Sequence, residues 1–225
     1  MKHYLLAGIT ALGLLSGCSS APQVKLQASI GTYKASSTGR SYVLVLRPQQ
    51  QPTSITVNVS GPGGYSESIT LQSASARTPS GVWWELGWDA SKALTSGTYT
   101  LSASIDGQTE QVSVNVDASS TLAQPTVSIG PNPTTKSVAA SWNAVPGASG
   151  FLVRLVNRTT NAVVASARVT SLSTTFSSLS LNTSDQYAVQ VYAASSNIAV
   201  DPPIVPGQFN MALGESTNFT VSPAP

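Results

Sequence analysis

The sequence predicts an all-β protein built from two consecutive β-sandwiches. Its 225 residues suffice for about two domains of ordinary size. Short β-branched runs recur between Gly, Pro, Asn, Asp and Ser residues, which is the pattern of sandwich strands. Beyond the first eighteen residues, no window of about eleven residues places apolar groups at helical spacing. Helices are therefore expected to be minor.

The first sandwich is predicted over residues 25–117. Within 54–60, Ile55, Val57 and Val59 alternate with polar residues, which is typical of a half-buried strand. The dipeptide Asp106-Gly107 predicts a tight hairpin turn. Six further runs complete the set of predicted strands: 25–30, 41–46, 68–71, 82–86, 98–105 and 111–116.

A linker is predicted at 118–124, where a Ser- and Ala-rich stretch without strand periodicity precedes Pro125. The second sandwich is predicted over 125–222. Its clearest strands are 137–142, 151–155 and 187–191, each with alternate apolar residues on one side.

The second segment resembles a fibronectin type III domain. Trp142 lies in its second strand, Val145-Pro146-Gly147 precedes an aromatic-led third strand, and Leu181 stands six residues before Tyr187. The resemblance implies a tyrosine corner, in which the phenol of Tyr187 bonds to the backbone and closes one end of the sandwich. The chain departs from the family at 195–215, where the last loop is unusually long.

The first segment is similar to bacterial immunoglobulin-like modules. It carries a weaker version of the same corner, with Leu94 five residues before Tyr99. We interpret the two segments as a duplication of one architecture. Many functions occur on this fold, so the fold alone selects none.

The N-terminus predicts a secreted, lipid-anchored protein. Residues 4–15 form an apolar run too short to span a bilayer, which indicates a signal peptide over 1–17. Leu15-Ser16-Gly17-Cys18 resembles the lipobox of bacterial lipoproteins. That resemblance implies cleavage before Cys18, acylation of Cys18, and a tether over 18–24. The alternative is an ordinary signal peptide in which Cys18 stands by chance.

The residue after the lipobox bears on location. Ser19 resembles the pattern of outer-membrane lipoproteins. In a Gram-positive host the same anchor would instead hold the protein on the outer face of the plasma membrane.

The composition excludes several kinds of chemistry. The chain has one His and one Cys, His3 and Cys18, and processing would remove the first and block the second. Nucleophilic catalysis that needs an imidazole or a thiol then has no base or nucleophile. Zinc, copper and haem sites lack their usual ligands, and the scattered acidic residues form no calcium loop. We therefore expect no cofactor, no metal and no catalytic residue.

Nucleic acid is not an expected partner. The net charge is only +2, and 9% of residues are charged. Arg154, Arg158 and Arg168 are not interleaved with stacking aromatic residues.

Trp83 and Glu85 are the first candidate binding residues. Strand alternation predicts that Val82, Trp84 and Leu86 face the core and that Trp83 and Glu85 point outward. An outward Trp beside a carboxylate can stack on a sugar or anchor a protein partner. The alternative is that the linker or the second domain covers Trp83.

A second candidate surface lies in the long loop 195–215, which holds seven large apolar residues. We expect the stretch 209–213 to pack as a cap. Ile198, Val200, Ile204 and Val205 are expected to project as a contact surface.

A third candidate surface is the face of the second sandwich that carries Arg154 and Tyr192, together with Leu152 and Gln190. It combines apolar and hydrogen-bonding groups. The alternative is a plain solvated face.

These observations favour a non-catalytic, lipid-anchored cell-envelope protein that presents two sandwiches for protein binding, adhesion or envelope structure. Its partner is expected to be an envelope protein or glycan. The alternative is a carbohydrate-binding accessory lipoprotein centred on Trp83. A glycoside hydrolase that uses Glu85 and Asp89 is less favoured, because such a pair needs a deep cleft.

Replacing Cys18 tests the anchor. Cys18→Ser removes the only thiol of the chain, so acylation should stop and an unprocessed precursor should accumulate. Labelled palmitate and membrane fractionation in the host check this outcome. Incorporation of palmitate into the variant would contradict the lipobox assignment.

Overall fold

The computed structural model describes residues 25–50, 52–72, 81–203 and 207–224. The lipobox with Cys18, and the loop residues Ile204 and Val205, lie outside this part. The described residues form fourteen strands and one short 3₁₀ turn at Pro62–Gly64. The predicted all-β class is confirmed. Within the same ranges, no helix has the length and hydropathy needed to cross a bilayer.

The first seven strands form two layers, a sheet in the order β1-β2-β5 and a sheet in the order β4-β3-β6-β7. The hairpin predicted at Asp106-Gly107 joins β6 to β7, and both turn residues have positive φ angles, 51° and 75°. The strands are β1 (Leu26–Lys34), β2 (Thr38–Leu46), β3 (Ser54–Gly61), β4 (Tyr65–Gln72), β5 (Trp83–Asp89), β6 (Gly97–Ile105) and β7 (Gln108–Val116).

The next seven strands repeat this arrangement, with layers β8-β9-β12 and β11-β10-β13-β14. Each strand takes the position of the strand seven places earlier in the chain. The fold is thus a tandem of immunoglobulin-like, fibronectin type III-like sandwiches. The strands are β8 (Val127–Ile129), β9 (Val138–Trp142), β10 (Gly150–Asn157), β11 (Ala162–Val169), β12 (Ser173–Phe176), β13 (Tyr187–Ala194) and β14 (Met211–Glu215).

Each sandwich is closed by a tyrosine at the start of its sixth strand. The Tyr99 hydroxyl donates to the carbonyl of Thr95 and accepts from the N–H of Thr95, both at 3.0 Å. The Tyr187 hydroxyl donates to the Asn182 carbonyl at 3.2 Å and accepts from its N–H at 2.8 Å. These are the backbone contacts that the tyrosine-corner resemblance implies.

The second core contains the other residues assigned a structural role. Trp142 and Leu181 are both buried in it. The Trp142 ring lies 5.4 Å from the ring of Phe151, at an interplanar angle of 57°. This tilted arrangement is a favourable one for aromatic pairs.

One sheet continues from the first sandwich into the second. Strand β1 pairs in parallel with β14, with Tyr33 opposite Met211 and Lys34 opposite Ala212. The result is a seven-stranded sheet in the order β11-β10-β13-β14-β1-β2-β5. The predicted division into 25–117, 118–124 and 125–222 stays a prediction, and this sheet runs across it.

The junction between β1 and β14 is backbone against backbone. Phe209 donates its N–H to the Ile30 carbonyl at 3.2 Å, and the Ser41 hydroxyl donates to the Phe209 carbonyl at 2.7 Å. A Cβ atom on Gly31 would lie 2.2 Å from the Phe209 carbonyl oxygen. Only glycine allows the two strands to approach this closely.

The seven-stranded sheet is strongly curled. Trp88 on β5 and Tyr192 on β13 are four strand positions apart, which is about 19 Å in a flat sheet. Their ring centroids are 4.4 Å apart. The outer faces of the two sandwiches therefore meet, and they form a third apolar core. Its buried members are Tyr33, Val43, Val45, Trp84, Leu152, Tyr192, Ala194, Ile198, Phe209 and Met211.

The third core determines which residues of the long loop 195–215 are buried. Phe209 and Met211 are fully buried and Leu213 packs against them, so the predicted packing of 209–213 is confirmed. The prediction that Ile198 projects is wrong, because the third core encloses its side chain completely. Val200 is 37% exposed, in line with the prediction.

Gly31→Ala tests the junction. The added methyl group must push the Phe209 backbone away, so we expect the free energy of unfolding to fall by about 1 to 3 kcal/mol, as in overpacked cores. The radius of gyration from small-angle scattering should rise as the curl opens. Gly130→Ala is the milder control, because its Cβ would lie 3.0 Å from the Ala139 Cβ, so we expect a smaller loss of stability and an unchanged radius. A Gly31→Ala protein with the stability and radius of the parent would contradict this account.

Candidate functional site: a groove at the open edge of the curled sheet

A groove remains where the curled sheet fails to close on itself. Strands β5 and β11 are the two ends of the seven-stranded sheet, and a cavity of about 430 Å³ lies between them. This volume lies within the range of small-ligand sites. The groove is lined by Trp84, Glu85, Leu86, Leu152, Arg154, Ser166, Ala167 and Arg168.

Strand alternation places the lining residues. On β5, Trp84 and Leu86 face the third core and the groove, whereas Trp83 faces the first core. On the other wall, Arg154 of β10 stands opposite Ser166 of β11.

Arg168 connects the two walls. Its Cζ lies 4.5 Å from the ring centroid of Trp84, although β11 and β5 are six strand positions apart in the sheet. Its Nη1 donates to the carbonyls of Ile198 at 3.1 Å and Val200 at 3.3 Å. The Asp201 carboxylate lies 3.9 Å from its Nη2. Arg168 is thus held by the loop and covers one face of Trp84.

Arg154 is held by aromatic rings. Its Cζ lies 4.8 Å from the ring centroid of Trp88 and 5.6 Å from that of Tyr192. Such cation–π contacts contribute about 0.5 to 2 kcal/mol each. Within the described ranges, Arg154 forms no ion pair with a carboxylate, whereas Arg158 pairs with Glu215. Arg154 is therefore a cation of the groove without a carboxylate at ion-pair distance among the described residues, although Glu85 lines the same groove.

Two phenols under the groove stay neutral. The rings of Tyr33 and Tyr192 stack with their centroids 6.5 Å apart. Burial raises the pKa of Tyr33, with the neighbouring Tyr192 adding to the rise. Burial also raises the pKa of Tyr192 and outweighs the opposing effect of Arg154. Neither hydroxyl supplies an anion to pair with the arginines.

The predicted outward orientation of Trp83 is wrong. Its side chain is fully buried in the first core. Both faces of β5 are covered, one by the first core and the other by the third. Alternation places Trp83 and Trp84 on opposite faces, but it does not show which face meets which core. The residues that meet the groove are those predicted to face the core, Trp84 and Leu86.

The third candidate surface is also not the open face that was expected. Tyr192 is only 4% exposed and Leu152 only 8%, because the curl brings the first sandwich over them. Arg154 is half-buried at the margin of this contact.

Glu85 is near the groove, but it is not paired with Asp89. Its carboxylate accepts a hydrogen bond of 2.5 Å from the Tyr42 hydroxyl. The Asp89 carboxylate accepts from the hydroxyl and N–H of Ser91, and these bonds lower the pKa of Asp89. Their Cα atoms lie about 13 Å apart along β5, and each carboxylate is held by a different partner, so the structure shows no opposed pair of the kind that glycosidases use.

The remaining predicted site residues belong to the long loop, and the structure describes only some of them. The Ile198 side chain is buried, and the Ile198 carbonyl accepts a hydrogen bond from Arg168. The Val200 carbonyl also accepts one, and the Val200 side chain is more exposed. Ile204 and Val205 lie outside the described residues. Among the residues that the structure describes, no three His, Cys, Asp or Glu side chains are grouped so as to hold a metal ion.

Sequence reasoning missed Trp84 and Arg168 as groove residues. The cluster of three tryptophans within six positions was the signal available. Assigning each tryptophan to a core or to the groove requires the knowledge that β5 is covered on both faces, which only the tertiary structure shows.

No family model matches the chain, and no curated protein matches its sequence. Among solved structures, the FN1–FN3 domains of chicken CNTN1 are 15% identical with a TM-score of 0.34, over 87% of this chain and 63% of that chain. The two-domain fibronectin type III segment of chicken tenascin is 14% identical with a TM-score of 0.31, over 85% and 96%. The BSP domain of a biofilm-associated protein is 16% identical with a TM-score of 0.28, over 89% and 29%.

The chain thus spans less than two thirds of the CNTN1 segment that it is compared with. The fibronectin type III-like fold rests on the strand order and tyrosine contacts of this chain itself.

The buried phenols predict a loss of stability in alkali. Burial raises the pKa of Tyr33, Tyr42, Tyr65 and Tyr192 above the ordinary value of about 10. Above that pH the unfolded chain loses phenolic protons that the folded chain keeps. The free energy of unfolding should therefore be unaffected by these groups below about pH 10 and fall as the pH rises further.

Denaturant titrations near pH 9 and near pH 11, with phenolate absorbance as a second measurement, check this. If all seven tyrosines ionised together near pH 10 with no change in stability, the account would be wrong.

Proposed function

We propose that the chain is a non-catalytic, lipid-anchored protein of the bacterial cell envelope that binds a protein partner through the groove between β5 and β11. The observation that carries this proposal is Arg154. It lines a ligand-sized groove, and no carboxylate of the described residues pairs with it. A half-buried cation that its own fold leaves unpaired favours an external anionic partner.

The joined sandwiches support a binding role. The groove has walls from both halves of the chain, and the continuous sheet and third core hold these walls in place. A site that is fixed before binding costs less ordering on association.

The proposed location rests on the sequence. Leu15-Ser16-Gly17-Cys18 supplies the anchor, and Ser19 favours the outer membrane over the outer face of the plasma membrane. Acyl chains on Cys18 would hold residues 25 onward close to the bilayer through the tether 18–24. Partners in the same envelope would be within reach.

A carbohydrate-binding function centred on Trp83 lacks support, because that ring is buried in the first core. The rings nearest the groove do not replace it, since Arg168 lies over Trp84 and Arg154 over Trp88. The separation of Glu85 and Asp89 gives no support to a glycoside hydrolase.

Site-specific cross-linking in the host tests this function. A photoreactive residue in place of Ser166, which is exposed at the groove, should form discrete adducts with an envelope protein. The matched control replaces Ser113, exposed on β7 away from the groove. Adducts at Ser166 should weaken when Arg154→Gln is added. Identical adducts at both positions, or none at Ser166, would overturn a binding role for the groove.

A further inference from the structure

We propose that the groove takes an extended peptide segment carrying a carboxylate side chain, which adds as a strand to the free edge of β11 and pairs its carboxylate with Arg154. The inference rests on the proposed function, and it specifies the chemistry of the partner at that site.

The free edge of β11 is the first observation. Within the described residues, β11 pairs with β10 alone and forms one end of the seven-stranded sheet. Its sequence, AVVASARV, contains no proline and one charged residue, Arg168, whose side chain extends to Trp84 and to the Ile198 carbonyl. Val163 and Val164 are 51% and 39% exposed. Natural proteins usually protect an edge strand with charge, proline or a cover, so the stretch 162–167, which has neither charge nor proline, favours strand addition.

The position of Arg154 is the second observation. Arg154 is directly opposite Ser166 across β10 and β11. A residue on a strand added beside Ser166 would stand about 10 Å from Arg154, two strand spacings away. The residue between them is Ser166, whose side chain is small. An arginine and a glutamate side chain together cover that distance.

The covered ring faces are the third observation, and they distinguish a peptide from a glycan. A sugar would need an open aromatic face to stack on. The guanidinium groups of Arg168 and Arg154 lie over Trp84 and Trp88 at 4.5 and 4.8 Å. The groove offers a backbone edge and the Arg154 guanidinium, while the carboxylate of the lining residue Glu85 accepts a hydrogen bond from Tyr42. An acidic extended peptide complements the edge and the guanidinium.

The probe is a capped peptide of strand length, about six residues, with alternating threonine and valine and one central glutamate. Its controls are the same peptide with glutamine in place of glutamate, and one with alternate backbone amides methylated. Binding to the whole chain purified in detergent is measured by calorimetry. Hydrogen exchange of residues 162–169 reports whether β11 gains a neighbour.

We expect the glutamate peptide to bind about tenfold more tightly than the glutamine peptide, since a hydrogen-bonded charge pair contributes about that much. The methylated peptide should not bind, and exchange across 162–169 should slow only with the unmethylated peptides. Arg154→Gln should abolish the preference for glutamate. Arg154→Lys should keep it, and Arg158→Gln, whose arginine pairs with Glu215 instead, should not alter it.

Two results would overturn the inference. One is equal affinity for the methylated and unmethylated peptides, which would exclude strand addition. The other is binding of an acidic oligosaccharide, such as an oligouronate, with no binding of the peptides. The second result would leave the groove as a binding site with a different ligand, whereas absence of adducts at Ser166 would refute the proposed function itself.

Discussion

The architecture depends on one close approach of two backbones, where Gly31 of β1 meets Phe209 just before β14. A side chain at that point would hold the strands apart, and the parallel pairing of Tyr33 with Met211 could not follow. Without that pairing the two sandwiches would share no sheet. The curl, the third core and the groove are consequences of this junction. Phe209 belongs to both the junction and the third core, whereas the groove-lining residues lie more than forty positions from Gly31 and Phe209 in sequence.

Hydrogen bonds and apolar burial contribute differently to the junction. Asn210 accepts through Oδ1 from the N–H and hydroxyl of Thr32, which is buried with it. Each such bond contributes about 0.5 to 1.5 kcal/mol net, but a missing partner would cost about 1 to 3 kcal/mol. Burial of a large apolar side chain contributes about 1.5 to 3 kcal/mol, and the third core buries several. Apolar burial therefore holds the curl closed, while the polar contacts fix its register.

The sequence was informative wherever a strand has one buried and one exposed face. The run around Ile55 alternates as a half-buried strand should, and β3 is there. By contrast, β8 is only three residues long, and β11 is exposed along much of its length, so neither shows the expected period. The prediction for Trp83 is wrong because its face of β5 also carries Glu85 and Asp89, which is typical of a solvated face. Trp83 nevertheless packs into the first core, and Trp84 on the other face packs into the third. The groove was beyond prediction, since it depends on contacts between residues as far apart as Thr32 and Asn210, separated by 178 positions.

Because of the third core, the two sandwiches are not independent domains. Tandem domains of this kind usually meet through modest polar contacts, so that one can be exchanged or deleted while its neighbour persists. If the chain were cut at the predicted linker 118–124, the first half would expose Trp84 and Val45, and the second half would expose Leu152 and Tyr192. We therefore expect the two sandwiches to unfold as one cooperative body. A gene fusion that kept only one half would also have to replace the apolar surface that the other half covers.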